Sequence, residues 1–278
     1  MPRFREAGLG EPLREASVLL RHLQPDGAPG SPVDRSLFEA GVARRAAREP
    51  MAFITGTKGF WTLDLAVSPH TLIPRPDSET LVEAAVAYFR GKRPPDRVLD
   101  LGTGTGCLLL AVLSEFPDAF GVGGDINPGA AALAASNARQ TGLAGRATFL
   151  AADWASCLAA GFDLVLCNPP YIETAVIAGL MPEVAGHEPR RALDGGPDGL
   201  AAYAALMPQV RRLLGLDGIA IFELGQGQQA AVQALAEEAG LAHLHTQADL
   251  AGVPRALVAG VSAPEKTVWQ EARCPLGS

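Results

Sequence analysis

From residue 97 onward, short apolar runs alternate with stretches of helical periodicity. RVLDL (97–101) reads as a buried strand, and a helix is predicted from about 105 to 115. AFGVGGD (119–125) is a second strand, followed by a helix from Pro128 to about residue 140. ATFLAAD (147–153) and FDLVLCN (162–168) are further strands. Helix 199–214 then leads to GIAIFELG (218–225), a helix at 228–239, and the strand-like LAHLHT (241–246) and RALVAG (255–260). Parallel neighbours need a long crossover, and a helix supplies it. The alternation therefore predicts an α/β fold: a parallel, doubly wound sheet with helices on both faces.

Ahead of that sheet the pattern differs. In residues 4–48, Leu13, Ala16, Leu19, Leu20 and Leu23 share one helical face, as do Leu37, Ala40, Val42 and Ala43. PDGAPGSP (25–32) between them has turn composition. Segments 52–55 and 61–67 are aromatic and β-branched, with Gly56 and Gly59 between them, which predicts a β-hairpin. The prolines of LIPRPDSET (72–80) bar regular helix up to Pro76, and Asp77 or Ser78 can cap a helix over 81–90. These signals divide the 278 residues into a helical domain (1–50), a linking β-hairpin (51–76), an α/β domain (77–263) and a loosely held tail (264–278).

With 48% apolar and 19% charged residues the chain can bury a sizeable core, which excludes disorder, collagen and coiled coil. The net charge is −7, split as +2 over residues 1–76 and −9 over the remainder. No stable nucleic-acid binding is expected, because phosphate binding needs a basic surface; only the first quarter suits an acidic or RNA-associated partner. The start, MPRFREAGLGEP, has no hydrophobic signal core, and runs such as CLLLAVL (107–113) are too short to span a bilayer, so a cytoplasmic protein with no membrane association is expected. Cys107, Cys157, Cys167 and Cys274 show no CxxC spacing, and the five histidines show no ligand spacing, so neither a disulfide framework nor a metal site is expected.

The first strand of the sheet runs into Asp100-Leu101-Gly102-Thr103-Gly104-Thr105-Gly106. A glycine turn at the carboxyl end of a strand lets a ligand approach the backbone and the next helix. A dinucleotide fingerprint would place its third glycine at position 107, which is Cys107, and a P-loop GxxxxGK[ST] is absent. An acidic residue two before GxGxG instead fits an S-adenosylmethionine loop. The carboxylate of Asp100 suits the cationic part of that cofactor, and bare glycine backbone suits close packing. Asp125 ends the second strand, 19 residues after Gly106, where it can accept both ribose hydroxyls; Asp153 and Trp154 end the third, where they can hold adenine.

Asn168-Pro169-Pro170-Tyr171 follows the fourth strand, beside the glycine loop. Neither proline has an N–H or can continue the sheet, so the carbonyls of Asn168 and Pro169 are held out as acceptors. The Asn168 side chain adds another acceptor, and Tyr171 a flat face and a hydroxyl. This set suits a planar group bearing NH2, whose two hydrogens need two acceptors.

The combination of DLGTGTG, Asp125 with Asn127, Asp153-Trp154 and NPPYI resembles class I methyltransferases that act on planar NH2 groups. More narrowly, REPMAFITGTKGFWTLDLAV, TLIPRPDSETLVE, RVLDLGTGTGCLLLAV, HEPRRALDGGPDGL and FELGQGQ are similar to the peptide chain release factor glutamine methyltransferases. The resemblance implies a Rossmann-like sheet and methyl transfer from S-adenosylmethionine to the glutamine of the Gly-Gly-Gln loop of release factors. It implies that Gly102, Thr103, Gly104, Thr105, Gly106, Asp125 and Trp154 hold the cofactor and that Asn168 meets both ligands. Pro169, Pro170 and Tyr171 would frame the glutamine. Arg75 would brace the mouth of the site or pair with an acid such as Glu79. Glu188, Arg190 and Asp194 read as ordering the loop over the site, through a structural salt bridge or through substrate contact. The family's helical domain, thought to engage the release factor, usually has one more helix before FREAGLGEPLREASVLLRHL, so either a trimmed domain or a start further upstream is expected here. Arg44, Arg45 and Arg48 read as a solvated basic helix face.

Three alternatives share these motifs: glutamine methylation of a ribosomal protein, methylation of an exocyclic amine on a flipped nucleic-acid base, and a cofactor-binding adaptor without catalysis. The −9 beyond residue 76 leaves no basic target-reading region for the second, and the intact NPPY weighs against the third.

Overall fold

The computed structural model describes residues 2–24 and 32–261; the predicted turn up to residue 31 and the tail 264–278, with Cys274, lie outside the described residues. Four helices come first: α1 (Pro2–Glu6), α2 (Pro12–Leu23), α3 (Arg35–Ala46) and α4 (Met51–Thr55). Phe4, Leu9 and Ala16 form a small core of their own, with Val42 and Ala46 packed against it. Asp34 starts α3 by accepting from the backbone N–H of Ser36 and Leu37.

The hairpin begins later than its composition predicts. Residues 52–55 belong to α4, and the hairpin pairs β1 (Thr57–Phe60) with β2 (Leu63–Ala66). Pro50 precedes the helical turn, and Gly56, at φ +76°, ends it with its N–H on the Ala52 carbonyl. Those two stops override the strand preference of Phe53, Ile54 and Thr55, since a short apolar run can be a buried helical turn or a strand.

The sheet contains β3 (Arg97–Leu101), β4 (Phe120–Asp125), β5 (Ala147–Ala151), β6 (Phe162–Cys167), β7 (Leu214–Glu223), β8 (Ala242–Ala248) and β9 (Pro254–Gly260), in the order β5-β4-β3-β6-β7-β9-β8. Pairing is parallel from β5 through β7, but β9 is antiparallel to both of its neighbours. Only a short loop links β8 to β9, too short for a crossover, so the second strand must return as a hairpin. Asp249 closes that loop by accepting from the N–H of Ala251 and Val253, both at 2.9 Å.

Helices α5 (Glu79–Phe89), α6 (Cys107–Glu115), α7 (Pro128–Gln140), α8 (Pro182–His187), α9 (Ala201–Leu213) and α10 (Gln229–Glu238) complete the fold. Strand side chains alternate between two cores. Val98 and Leu164 join Leu81 and Leu109 on one face, whereas Leu99 and Val165 join Leu206 and Val232 on the other. The strand order reverses at β3, which opens a crevice at the carboxyl ends of β3, β4 and β6. Among the described residues no helix is long and apolar enough to cross a membrane.

Of the three cluster arginines, Arg44 is exposed as expected and pairs with Glu49, whereas Arg45 and Arg48 are drawn into the fold. Arg45, 7% exposed, forks onto Glu15 of α2 at 2.8 and 2.9 Å and reaches Glu183 of α8 at 3.0 Å. Arg48 adds a 2.7 Å bond to Glu183 and holds the carbonyls of Ala7 and Gly8. Neighbouring positive charges fall on one helix face by their spacing, but acids brought in by the fold neutralise them. Glu183→Ala leaves Arg45 its bonds to Glu15 but strips a partner from both arginines, and is expected to cost about 1–3 kcal/mol in denaturant unfolding. A loss under about 0.5 kcal/mol would mean that the clamp contributes no more than an exposed pair.

Candidate active site

Residues 102–106 turn the chain from β3 into α6. Gly102, Gly104 and Gly106 have φ of +74°, +56° and +83°, a region that side chains rarely tolerate. The N–H groups of Gly102 and Thr103 donate to the Gly124 carbonyl at 2.9 and 3.0 Å, tying the loop to β4. A Cβ on Gly102 would lie 3.5 Å from the Trp154 ring and 4.0 Å from the Asn168 carbonyl oxygen, so bare backbone forms the floor here.

Asp100 stands behind this floor and does not line the cleft. Its Oδ2 accepts from the Thr103 hydroxyl at 2.6 Å, while Oδ1 is buried without a hydrogen-bond partner. Burial pushes its pKa up to about 7, against the opposing pull of the Thr103 hydroxyl. The folded chain thus holds this proton more tightly than the unfolded one. The resulting stabilisation is complete below about pH 4 and is lost as pH rises to about 7. Asp100→Asn is expected to lose that slope, so the difference between the parent and variant stability–pH curves should change between about pH 4 and 7, and parallel curves would contradict it.

Asp125, at the end of β4, accepts from the N–H of Gly104 at 3.0 Å and of Asn127 at 2.8 Å. Asn127 caps α7 through the Gly129 N–H and donates to the His70 carbonyl, which fixes the rim at residues 70–72. Asp153 and Trp154 follow β5, and Trp154 takes φ +48°. With Thr103, Thr105 and Asp125 they line an open cleft of about 1050 Å³.

The tetrapeptide divides its labour. Asn168 and Pro170 line the same cleft, whereas Pro169 and Tyr171 do not. Asn168 Nδ2 donates to the Ser78 hydroxyl at 3.2 Å. The Tyr171 hydroxyl turns inward and donates to Glu223 at 3.0 Å, and burial pushes its pKa above the ordinary value. Gln228 braces the turn by donating to the Tyr171 carbonyl at 3.0 Å. Gly195 and Gly199 pack against its backbone, where added Cβ atoms would lie 2.8 Å from the Pro170 carbonyl oxygen and 2.3 Å from that of Tyr171.

Arg75 pairs with Glu188 at 2.5 Å rather than with Glu79, whose carboxylate instead accepts from the Trp61 N–H. Glu188 also accepts from the Ile73 N–H, so it ties the LIPRP segment to the loop beyond the tetrapeptide. Arg190 pairs with Asp194 at 3.2 Å. Burial raises the pKa of Cys107 to about 12 and that of Cys167 well above the ordinary value, so both are held as neutral thiols; Cys167 is buried in the core, and Cys107, half-buried, lines the cleft.

The family model "Methyltransferase small domain" matches residues 79–186, which include the glycine loop and the tetrapeptide. A release factor glutamine methyltransferase of Rhodospirillum rubrum is 47% identical over 266 residues, covering 92% of this chain and 81% of the relative. The chain belongs to the release factor glutamine methyltransferase family. A relative of the same description from Bradyrhizobium diazoefficiens is 46% identical and covers 94% of this chain and 92% of its own. Among solved structures, the hMettl16 catalytic domain in complex with MAT2A 3′UTR hairpin 1 superposes with a TM-score of 0.59 at 15% identity, covering 95% of this chain and 94% of that one. That likeness carries the class I methyltransferase sheet and nothing about substrate.

Within this family member, several site residues escaped the sequence reading. Ser78 reads as a helix cap, yet its hydroxyl holds Asn168. Gly195, Gly199 and Gln228 stand out only as parts of DGGPDGL and FELGQGQ, and no local pattern shows that they hold the tetrapeptide. Glu223 carried one usable signal: an acid in the otherwise apolar run GIAIFEL must have a partner.

Proposed function

We propose that this chain transfers a methyl group from S-adenosylmethionine to the side-chain amide nitrogen of the glutamine in the Gly-Gly-Gln motif of peptide chain release factors. The observation that carries the reading is the shared floor, where the Asn168 carbonyl, the Trp154 ring and the bare backbone of Gly102 lie within 4.0 Å of one Cβ position. The residues present fit the cofactor. Bare backbone at Gly102 leaves the room that a Cβ would fill against the Trp154 ring, and Asp100 orders the loop from behind through the Thr103 hydroxyl. Residues 102–106 would hold the methionine end, Asp125 the ribose hydroxyls, and Asp153 with Trp154 the adenine. When bound, S-adenosylmethionine supplies an electrophilic methyl on a sulfonium.

The amide nitrogen of glutamine is a poor nucleophile because its lone pair is delocalised. With Nδ2 of Asn168 committed to Ser78, Oδ1 is left to accept one amide hydrogen, and the main-chain carbonyl of Asn168 at the floor is the other acceptor. Pro170 frames the side chain, and Tyr171 shapes the turn from behind. Acceptors on both hydrogens orient the lone pair and stabilise the positive charge that builds on nitrogen. Positioning of this kind contributes up to ~7–11 kcal/mol in near-attack geometry. The nitrogen then gives its proton to water, so no strong base is required. Helices α2 and α3, which expose Leu13, Leu20 and Leu37, are the proposed docking region for the release factor.

The test is incubation with methyl-labelled cofactor and, in separate reactions, release factor, ribosomal proteins and DNA. Label is expected on the release-factor glutamine. Label on ribosomal protein or DNA without label on release factor would overturn the reading.

A further inference from the structure

We propose that α8 is a strut between the helical domain and the mouth of the cleft, with Glu183, Arg45 and Arg48 acting as positioning residues for the protein substrate. The inference rests on the docking region given to α2 and α3 above.

The helical domain has a small core, Phe4, Leu9 and Ala16, separate from the two cores of the sheet. An ionic clamp, with Arg45 buried in it, ties that domain to α8. Both oxygens of Glu183 are used: Oε1 accepts from Arg45 at 3.0 Å and Oε2 from Arg48 at 2.7 Å. Arg45, on α3, also forks onto Glu15 of α2, and Arg48 holds the carbonyls of Ala7 and Gly8 that follow α1. Three segments of the helical domain therefore meet at one carboxylate of α8.

The rest of this six-residue helix faces the site. Val184 packs with Ile177 and Leu193, and Leu72 and Ile172 lie against the same cluster. Leu72 lines the cleft, and Ile172 follows Tyr171 of the tetrapeptide. One residue past α8, Glu188 accepts from Arg75 at 2.5 Å and from the Ile73 N–H at 3.1 Å. Glu183 and Glu188 are five positions apart, a rise of about 8 Å along a helix. One end of this short rod grips the helical domain and the other grips the wall of the cleft. A release factor held on α2 and α3 must still deliver its glutamine to Asn168. A second contact forms at high effective concentration only where the span between the two points is set, and α8 touches both. None of Arg45, Arg48 and Glu183 lines the cleft, so the clamp stands apart from the cofactor.

Glu183→Gln keeps the volume and removes the charge that both arginines share. It is expected to lower kcat/KM for the release factor by about tenfold or more, with calorimetric affinity for S-adenosylmethionine within about threefold of the parent. The deciding measurement is a cycle with a docking variant, Leu13→Asp combined with Leu37→Asp, which places charges on the exposed faces of α2 and α3. Once docking is lost the strut has nothing to position, so adding Glu183→Gln should cost no more than about twofold. A merely structural role would lower the melting temperature, and any loss of kcat/KM would multiply with the docking loss. If Glu183→Gln does not fold, Arg48→Lys, which keeps the charge and loses the fork, goes through the same cycle. A kcat/KM within about twofold of the parent, multiplying losses, or a fall in cofactor affinity that matches the fall in kcat/KM overturns the proposal. A parent enzyme that leaves the release factor unlabelled overturns the functional reading and this one with it. A parent that labels it, with the docking variant equally fast, overturns the docking region and the strut and leaves the chemistry standing.

Discussion

Asn168→Ala is expected to lower kcat for release-factor methylation by about 10²–10³-fold, the scale of removing one preorganised group from a transition-state site. The substitution deletes Oδ1 from the cleft and takes the donor away from Ser78, whose hydroxyl otherwise receives Nδ2 at 3.2 Å. It leaves the cofactor half intact, because Gly102 and Thr103 are held by the Gly124 carbonyl and Asp125 by the N–H groups of Gly104 and Asn127. Calorimetric affinity for S-adenosylmethionine should therefore fall by no more than about tenfold, the worth of one hydrogen bond. Turnover that survives the substitution would remove Asn168 from the chemistry. A parallel collapse of cofactor affinity would make it a binding residue instead.

Gly199→Ala is the substitution expected to damage the fold of the site most. Two costs coincide there: φ is +74°, and the new Cβ would sit 2.3 Å from the Tyr171 carbonyl oxygen, a backbone atom that cannot step aside alone. Left-handed strain costs about 1–3 kcal/mol, and forced overpacking adds about as much again. Each kcal/mol lowers the melting temperature of a domain this size by about 2–4 °C. Gly227→Ala separates the two causes, because Gly227 has φ +81° with nothing within 4 Å of an added Cβ. Gly199→Ala should unfold at a lower temperature than Gly227→Ala and lose methyl transfer as the tetrapeptide moves. Equal melting temperatures for the two variants would show that the backbone gives way freely.

The central sheet was legible because its inner strands, β3, β4, β6 and β7, carry apolar runs stopped by glycine, asparagine-proline or an acid, and those stops are local. The glycine loop and NPPY were legible for a related reason: their chemistry depends on position relative to a strand end, which the strand–helix rhythm reveals. Local signals also account for the failures. Pro50 and Gly56 make a helical turn out of residues whose composition favours a strand. The short link after β8 forces β9 antiparallel within a sheet that alternation alone predicts to be parallel. Pairings between distant positions left no trace in the order of residues. Arg45 meets Glu183 across 138 positions, Arg75 meets Glu188 across 113, and Tyr171 meets Glu223 across 52. The chemistry of each side chain was readable, but its partner was chosen by the sheet order.

That order also bears on how the molecule is made. β9 is the last strand of the sheet to leave the ribosome, yet its place is between β7 and β8. Until residues 254–260 are synthesised, β7 presents an open edge of unpaired N–H and C=O groups. Arg255, which favours the charge on Glu223, arrives with the same segment. The nascent chain therefore completes its sheet and the polar support behind its active site together, in one late step of its own translation.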